Sequence, residues 1–172
     1  MRTMILLALL LPLSLAAQKT DVFLKLIDAG GQQIKGDATP KGYERSIAVI
    51  SFASSGKNNV QLSFTMNPGA AAADLKRAMG NSSFLQSGVL TVTQINPGGG
   101  MPLVSYTIKM ENIRVNSCAE ALGCNGVMTT TTVLTATRIG WTYYQTDLKS
   151  GAQSVSRKYG YDGDTGREWT NF

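Results

Sequence analysis

The chain has 172 residues, a length that suits one domain, and 43% of them are hydrophobic, enough to build a core. It contains no histidine, which excludes His-based acid–base catalysis, the His-containing triads and His-ligated zinc. The formal charge is only +5 and the basic residues are scattered, among them Lys25, Arg45, Arg77, Lys109, Arg138 and Arg157, so no nucleic-acid partner is implied.

Arg2 precedes an apolar run from Met4 to Leu15 that has the length of a signal-peptide core. Ser14 and Ala16 are small residues at the −3 and −1 positions of a cleavage site at Ala16 and Ala17. The run is short for a membrane span, and no cysteine follows it to carry a lipid. Residues 1–17 therefore predict a secretory signal peptide, with a single domain over 18–172, periplasmic or extracellular, and no stable membrane insertion. Loss of Arg2 takes the charge from +5 to +4.

The mature chain reads mostly as strands. Residues 21–28 are a short apolar strand turned by Ala29, Gly30 and Gly31; 32–41 is a polar loop. A second strand region covers 43–54, with both faces partly apolar, and in 60–66 Leu62 and Phe64 alternate with Gln61 and Ser63. The one helix is predicted over 68–79. Asn67 is its cap, Pro68 its first residue, Leu75, Ala78 and Met79 its apolar face, and Gly80 with Asn81 its stop. Strands follow over 88–95 and 103–115, separated by a turn through Asn96, Pro97 and Gly98. In the second of these, inward parity passes from Val104, Tyr106, Ile108 and Met110 to Ile113 and Val115, which predicts a bulge near Glu111 and Asn112.

Residues 116–126 read as a loop holding Cys118 and Cys124. In an oxidising compartment these two predict a disulfide closing that loop. The longest signal is a hairpin over 127–162. Its first strand is rich in Thr, Val, Ile, Trp and Tyr, with Val133, Ile139, Trp141 and Tyr143 on one parity; the return strand places Val155, Tyr159 and Tyr161 together. The fold class is all-β: two packed sheets in a small, partly open barrel or sandwich, with one short α-helix over its side or end.

Few residues suggest chemistry. The Gly98–Gly100 turn lacks the Lys-Ser/Thr of a phosphate loop. Residues 162–166 lack the later acidic ligands of a calcium loop. Asp162 with Glu168, or Asp37 with Glu44, has the residue types of a glycosidase pair, but nothing in the sequence brings either together. The reading is of a non-enzyme with no cofactor and no metal. Tyr143, Tyr144 and Tyr161 are candidates for an aromatic surface; rings at strand spacing also serve as cross-strand packing.

The order of these segments resembles the Hcp family, the haemolysin-coregulated tube proteins of the type VI secretion apparatus. Val22-Phe23-Leu24-Lys25-Leu26 is similar to that family's opening strand, and Lys41-Gly42 with Ile47-Ala48-Val49-Ile50-Ser51-Phe52 to its second segment. Phe64-Thr65, followed by Leu75 and Ala78, has the spacing of its helix entry. Residues 106–115 resemble its long strand, and residues 135–144 with Lys158-Tyr159-Gly160-Tyr161-Asp162 its terminal hairpin. Met66, Gly69 and Ala72-Ala73 depart from the family's helix-entry pattern, as does the leader. The resemblance implies a homo-oligomer: a six-membered ring with a wide pore, rings stacking into tubes, and secreted effectors or secretion-apparatus proteins as partners. Gln32, Gln33, Ile34 and Lys35 are the candidate stacking loop, because extended segments can add to a neighbour's sheet. The alternative is a monomeric exported β-sandwich that binds a glycan or a protein through its aromatic hairpin.

Overall fold

The computed structural model describes residues 20–55, 60–96, 101–147 and 150–172. The leader, with Ala16 and Ala17, lies outside the described residues, as does the turn through Pro97 and Gly98. The described chain forms strands β1 (Thr20–Asp28), β2 (Ile47–Ser55) and β3 (Gln61–Met66), helix α1 (Ala70–Gly80), then β4 (Phe84–Gln94), β5 (Leu103–Leu122), β6 (Met128–Thr146), β7 (Gln153–Asp162) and β8 (Arg167–Glu168).

The fold is all-β with one helix. The strands make one antiparallel sheet rather than two, in the order β3-β2-β1-β4-β5-β6-β7-β8, and β3 pairs again with β6 to close it. One edge of β6 takes two partners in tandem. Its residues 130–135 pair with β3, and its residues 138–146 pair with β7. Six strands therefore close a barrel, while β7 and β8 run on from it as a flap. At the junction the Gly163 N–H donates to the Thr137 carbonyl and the Ala136 N–H to the Val60 carbonyl.

Alternating residues fill the barrel in rungs. Leu24 pairs with Leu90, Leu90 with Ile108, and Ile108 with Trp141, so one layer of large side chains crosses four strands. Leu24, Leu90 and Ile108 are fully buried, as are Leu62 and Ile139. The inward parity changes in β5 and β6 at the same rung. Glu111 pairs with Arg138 and Ile113 with Ala136, so Asn112 stands level with Thr137, and Asn112 has φ 50. Both strands switch face together and the register survives. The expected irregularity at Glu111–Asn112 is thus a left-handed residue, and a register shift follows between Val115 and Ser117. Val133 consequently does not share the face of Ile139 and Trp141; the buried residues around it are Thr132 and Leu134.

Helix α1 begins two residues later than predicted. Gly69 holds its N-cap position with extended φ 175 and no side-chain cap bond, so Asn67 has no capping role. It ends at Gly80 with Asn81 as its C-cap, and the left-handed residue is Ser82, at φ 50, rather than Gly80 or Asn81. Leu75 is fully buried and Ala71, Ala72 and Ala78 are buried beside it, whereas Met79 is exposed. β4 flanks β5 only as far as Arg114. Beyond that point α1 covers the inner face of β5, with the Cys118 thiol 3.9 Å from the Ala72 carbonyl and Lys76 bridged to Glu120 at 2.7 Å.

Two segments strap the outer face. Residues 33 and 34 first pair with the edge of β1, the Ile34 N–H donating to the Leu26 carbonyl, and Tyr43 then stacks on Phe23 at 4.4 Å. The C-terminal segment lies over β6 and β7. The Trp169 N–H donates to the Gly160 carbonyl, Trp169 is buried, and the Phe172 ring rests on Gly140 and Gly160, which face each other across the two strands. Both positions require glycine through close approach, since a Cβ at either would fall 2.4 Å from that ring.

Gly160→Ala, whose Cβ would also stand 2.3 Å from the Trp169 carbonyl oxygen, should lose about 1–3 kcal/mol by overpacking. Gly80→Ala, with nothing within 4 Å, should be neutral or gain up to about 1 kcal/mol from helix propensity. Urea unfolding midpoints of the two variants check the contrast.

Candidate functional site

The end of the barrel away from α1 is lined with aromatic rings. Val22, Val92, Tyr106 and Tyr143 form the rung there, each paired with the next across β1, β4, β5 and β6. The Tyr106 and Tyr143 rings lie 4.8 Å apart, and Phe52 of β2 stacks on Tyr106 at 6.4 Å. Beside them Trp141 stacks on Tyr159 at 5.9 Å and donates its indole N–H to the Ser54 hydroxyl at 3.3 Å. Burial pushes the Tyr106 hydroxyl up to about 12, against the opposing effect of its hydrogen bond to Ser54. Tyr143 is 49% exposed and Tyr159 52% exposed.

The three tyrosines expected to form one surface are separated. Tyr143 stands in this mouth. Tyr161 lies deeper, paired with Ile139 and packed on the core. Tyr144 follows Tyr143 on the strand and so points to the opposite face, level with Val155. Sequence reading missed Phe52 and Tyr106, which join Tyr143 from other strands. For Tyr106 the available signal was its place one alternation before the buried Ile108; Phe52 follows the exposed Ile50 and gave none.

The acidic residues hold turns and an ion-pair network. Arg138 bonds Asp162 at 2.9 Å and Glu111 at 3.3 Å, and Lys109 reaches Glu111 at 3.6 Å. Asp162 also accepts from the N–H groups of Asp164 and Thr165. Burial pushes its carboxyl up, but the Arg138 hydrogen bond and the two backbone donors hold it below the usual carboxylate range. Glu168 is exposed in β8. Asp37 accepts from the Ala48 N–H and Glu44 from the Gly42 N–H, so each braces its own loop. Among the described residues no group of three His, Cys, Asp or Glu side chains is placed to hold a metal.

The candidate stacking loop is tied into the body. Gln33 bridges Ile27 and donates its side-chain amide to the Arg45 carbonyl, and Ile34 is a core residue at 5% exposure. Gln32, whose N–H donates to Asp28, and Lys35 remain exposed.

The cysteines correct the sequence reading. Residues 116–122 are strand rather than loop, and both thiols are free. Strand geometry turns Cys118 into the core, where the Thr132 hydroxyl meets its sulfur at 3.5 Å, while Cys124 is exposed in the short turn between β5 and β6. That turn is closed by the Gly126 N–H on the Gly123 carbonyl and flanked by exposed Leu122, Val127 and Met128.

No protein-family model matches the sequence, and no curated protein matches it. Solved structures match along nearly their whole length. A structure described as that of a type six secretion system protein aligns with a TM-score of 0.72 at 18% identity, over 88% of this chain and 100% of its own. Hcp1 from Salmonella typhimurium aligns with a TM-score of 0.69 at 19% identity, over 87% and 99%. The secreted protein Hcp3 from Pseudomonas aeruginosa aligns with a TM-score of 0.63 at 14% identity, over 84% and 98%. The chain therefore shares the barrel fold of these proteins. More narrowly, the fold is that of the Hcp proteins, and at these identities the likeness is one of fold.

The lowered Asp162 value sets a sign for pH dependence. Its stabilising share is present above the unfolded carboxylate value, about 3.9, and is lost as pH falls through the lower folded value. Asp162→Asn removes that share. Wild type should exceed the variant most at neutral pH, and the gap should close between about pH 5 and pH 2, as read by unfolding midpoints across that range.

Proposed function

We propose that this chain is an exported, non-enzymatic subunit that assembles into six-membered rings and stacked tubes, as the resemblance to the Hcp tube proteins implies. The observation that carries the reading is the structural match to a type six secretion system protein over all of that chain and 88% of this one. A barrel of this kind suits assembly: its interior is filled with side chains, and Glu111 and Asp162 are engaged by Arg138 in an ion-pair network. Rings need a heterologous contact that closes, and tubes need a second contact between ring faces.

Export rests on the signal peptide read over 1–17, and the mature subunit acts in the periplasm or outside the cell. The described residues contain no helix long and apolar enough to cross a membrane. Its partners are copies of itself, with secreted effectors or secretion-apparatus proteins as further partners. The stacking role assigned to Gln32 and Lys35 narrows to those two side chains, because Ile34 is spent on the core.

Light scattering coupled to size exclusion, on the chain from Gln18, tests the reading. A mass of six subunits supports it. A monomer at high concentration sinks it and favours the binding-module alternative.

A further inference from the structure

The β5–β6 hairpin carries an apolar feature at each end. At its turn, Leu122 is 69% exposed, Val127 48% and Met128 49%, around the free thiol of Cys124. From Ala121 to Thr137 the chain has no charged residue. At its other end lies the aromatic mouth of Phe52, Tyr106 and Tyr143. Tyr143 is 15 residues along β6 from Met128, about 50 Å of extended strand, so the turn and the mouth of one copy cannot touch.

We propose that the occupant of the mouth is the β5–β6 turn of a second copy: Leu122, Val127 and Met128 of one chain seat against Phe52, Tyr106 and Tyr143 of the next, in a head-to-tail contact. This rests on the ring reading and adds to its stacking contact, beside Gln32 and Lys35, a pair of apolar surfaces. A knob at one end and a complementary surface at the other end of the same rigid hairpin make a heterologous interface, which propagates instead of closing on a pair. The area argues for a contact between rings. Three turn side chains cover far less than the roughly 800 Å² a side of a stable two-protein interface. A lone pair of copies therefore holds weakly, and six parallel contacts between two rings bind through multiplicity. The neutral turn brings no charge to desolvate against the rings.

The test is oxidative cross-linking of the Tyr143→Cys variant at the concentration used for light scattering. Because Cys124 and position 143 of one chain are about 50 Å apart, any bond between them joins two chains. The expected result is a ladder of multimers on a non-reducing gel, absent from wild type and from the Cys124→Ser/Tyr143→Cys double variant. Leu122→Ser/Met128→Ser should keep the ring mass and lose stacked rings in electron micrographs. An equal ladder from wild type would show a turn-to-turn contact and overturn the proposal. Stacked rings from Tyr143→Cys without a ladder, or a Leu122→Ser/Met128→Ser variant that still stacks, would overturn it while leaving the ring reading intact. A monomer mass without a ladder would overturn both.

Discussion

Strand β6 lends a single edge to two partners, β3 along its first half and β7 along its second. This sharing decides the architecture. The first pairing closes the barrel, so six strands need no edge protection along that seam. The second pairing lets the sheet continue past the seam as a flap. A closed barrel that also continues its sheet needs a strand about twice the usual length, and the 19-residue β6 supplies it.

A strand that long twists, and its inward face must follow the barrel around. β5 and β6 solve this at the rung of Asn112 and Thr137, where both change parity. Asn is a residue type that tolerates the left-handed conformation Asn112 adopts at φ 50. Had one strand switched alone, its partner would have turned its apolar residues outward. The paired switch keeps Met110 and Ile139 inside above the rung and Ile113 and Leu134 inside below it, all fully buried.

What the sequence showed and what it hid follow from the range of the interactions. Leu62, Phe64 and Met66 alternate over six residues, and their burial follows directly. The alanine run announced the helix, because propensity is local. Residues 116–122 misled because Asn116, Ser117 and Cys118 look like a loop; only their pairing with Thr129–Val133 makes them strand. The structure forms no Cys118–Cys124 disulfide for the same reason, since strand alternation points Cys118 inward. The mouth was half visible: Tyr143 stood out in the aromatic hairpin, but Phe52 lies 91 positions away and joins it only through closure. The roles of Gly140 and Gly160 were hidden until the Phe172 ring was placed on them.

The two straps explain where apolar surface is left over. Tyr43 covers Phe23 on β1, while Trp169 and Phe172 cover the middle of β6 and β7. On the sides of the barrel Ile50 stays exposed, while Arg114 covers the exposed ring of Phe84 at 4.5 Å. Among the described residues nothing comparable lies over the β5–β6 turn, and Tyr143, Val155 and Tyr159 are exposed at the far end. A side strap needs only a loop of the same chain that folds back locally. The turn and the mouth are thus surfaces on which apolar burial is still to be gained. A formal charge of +5, screened beyond about 8 Å at physiological salt, does little to oppose gaining it by association.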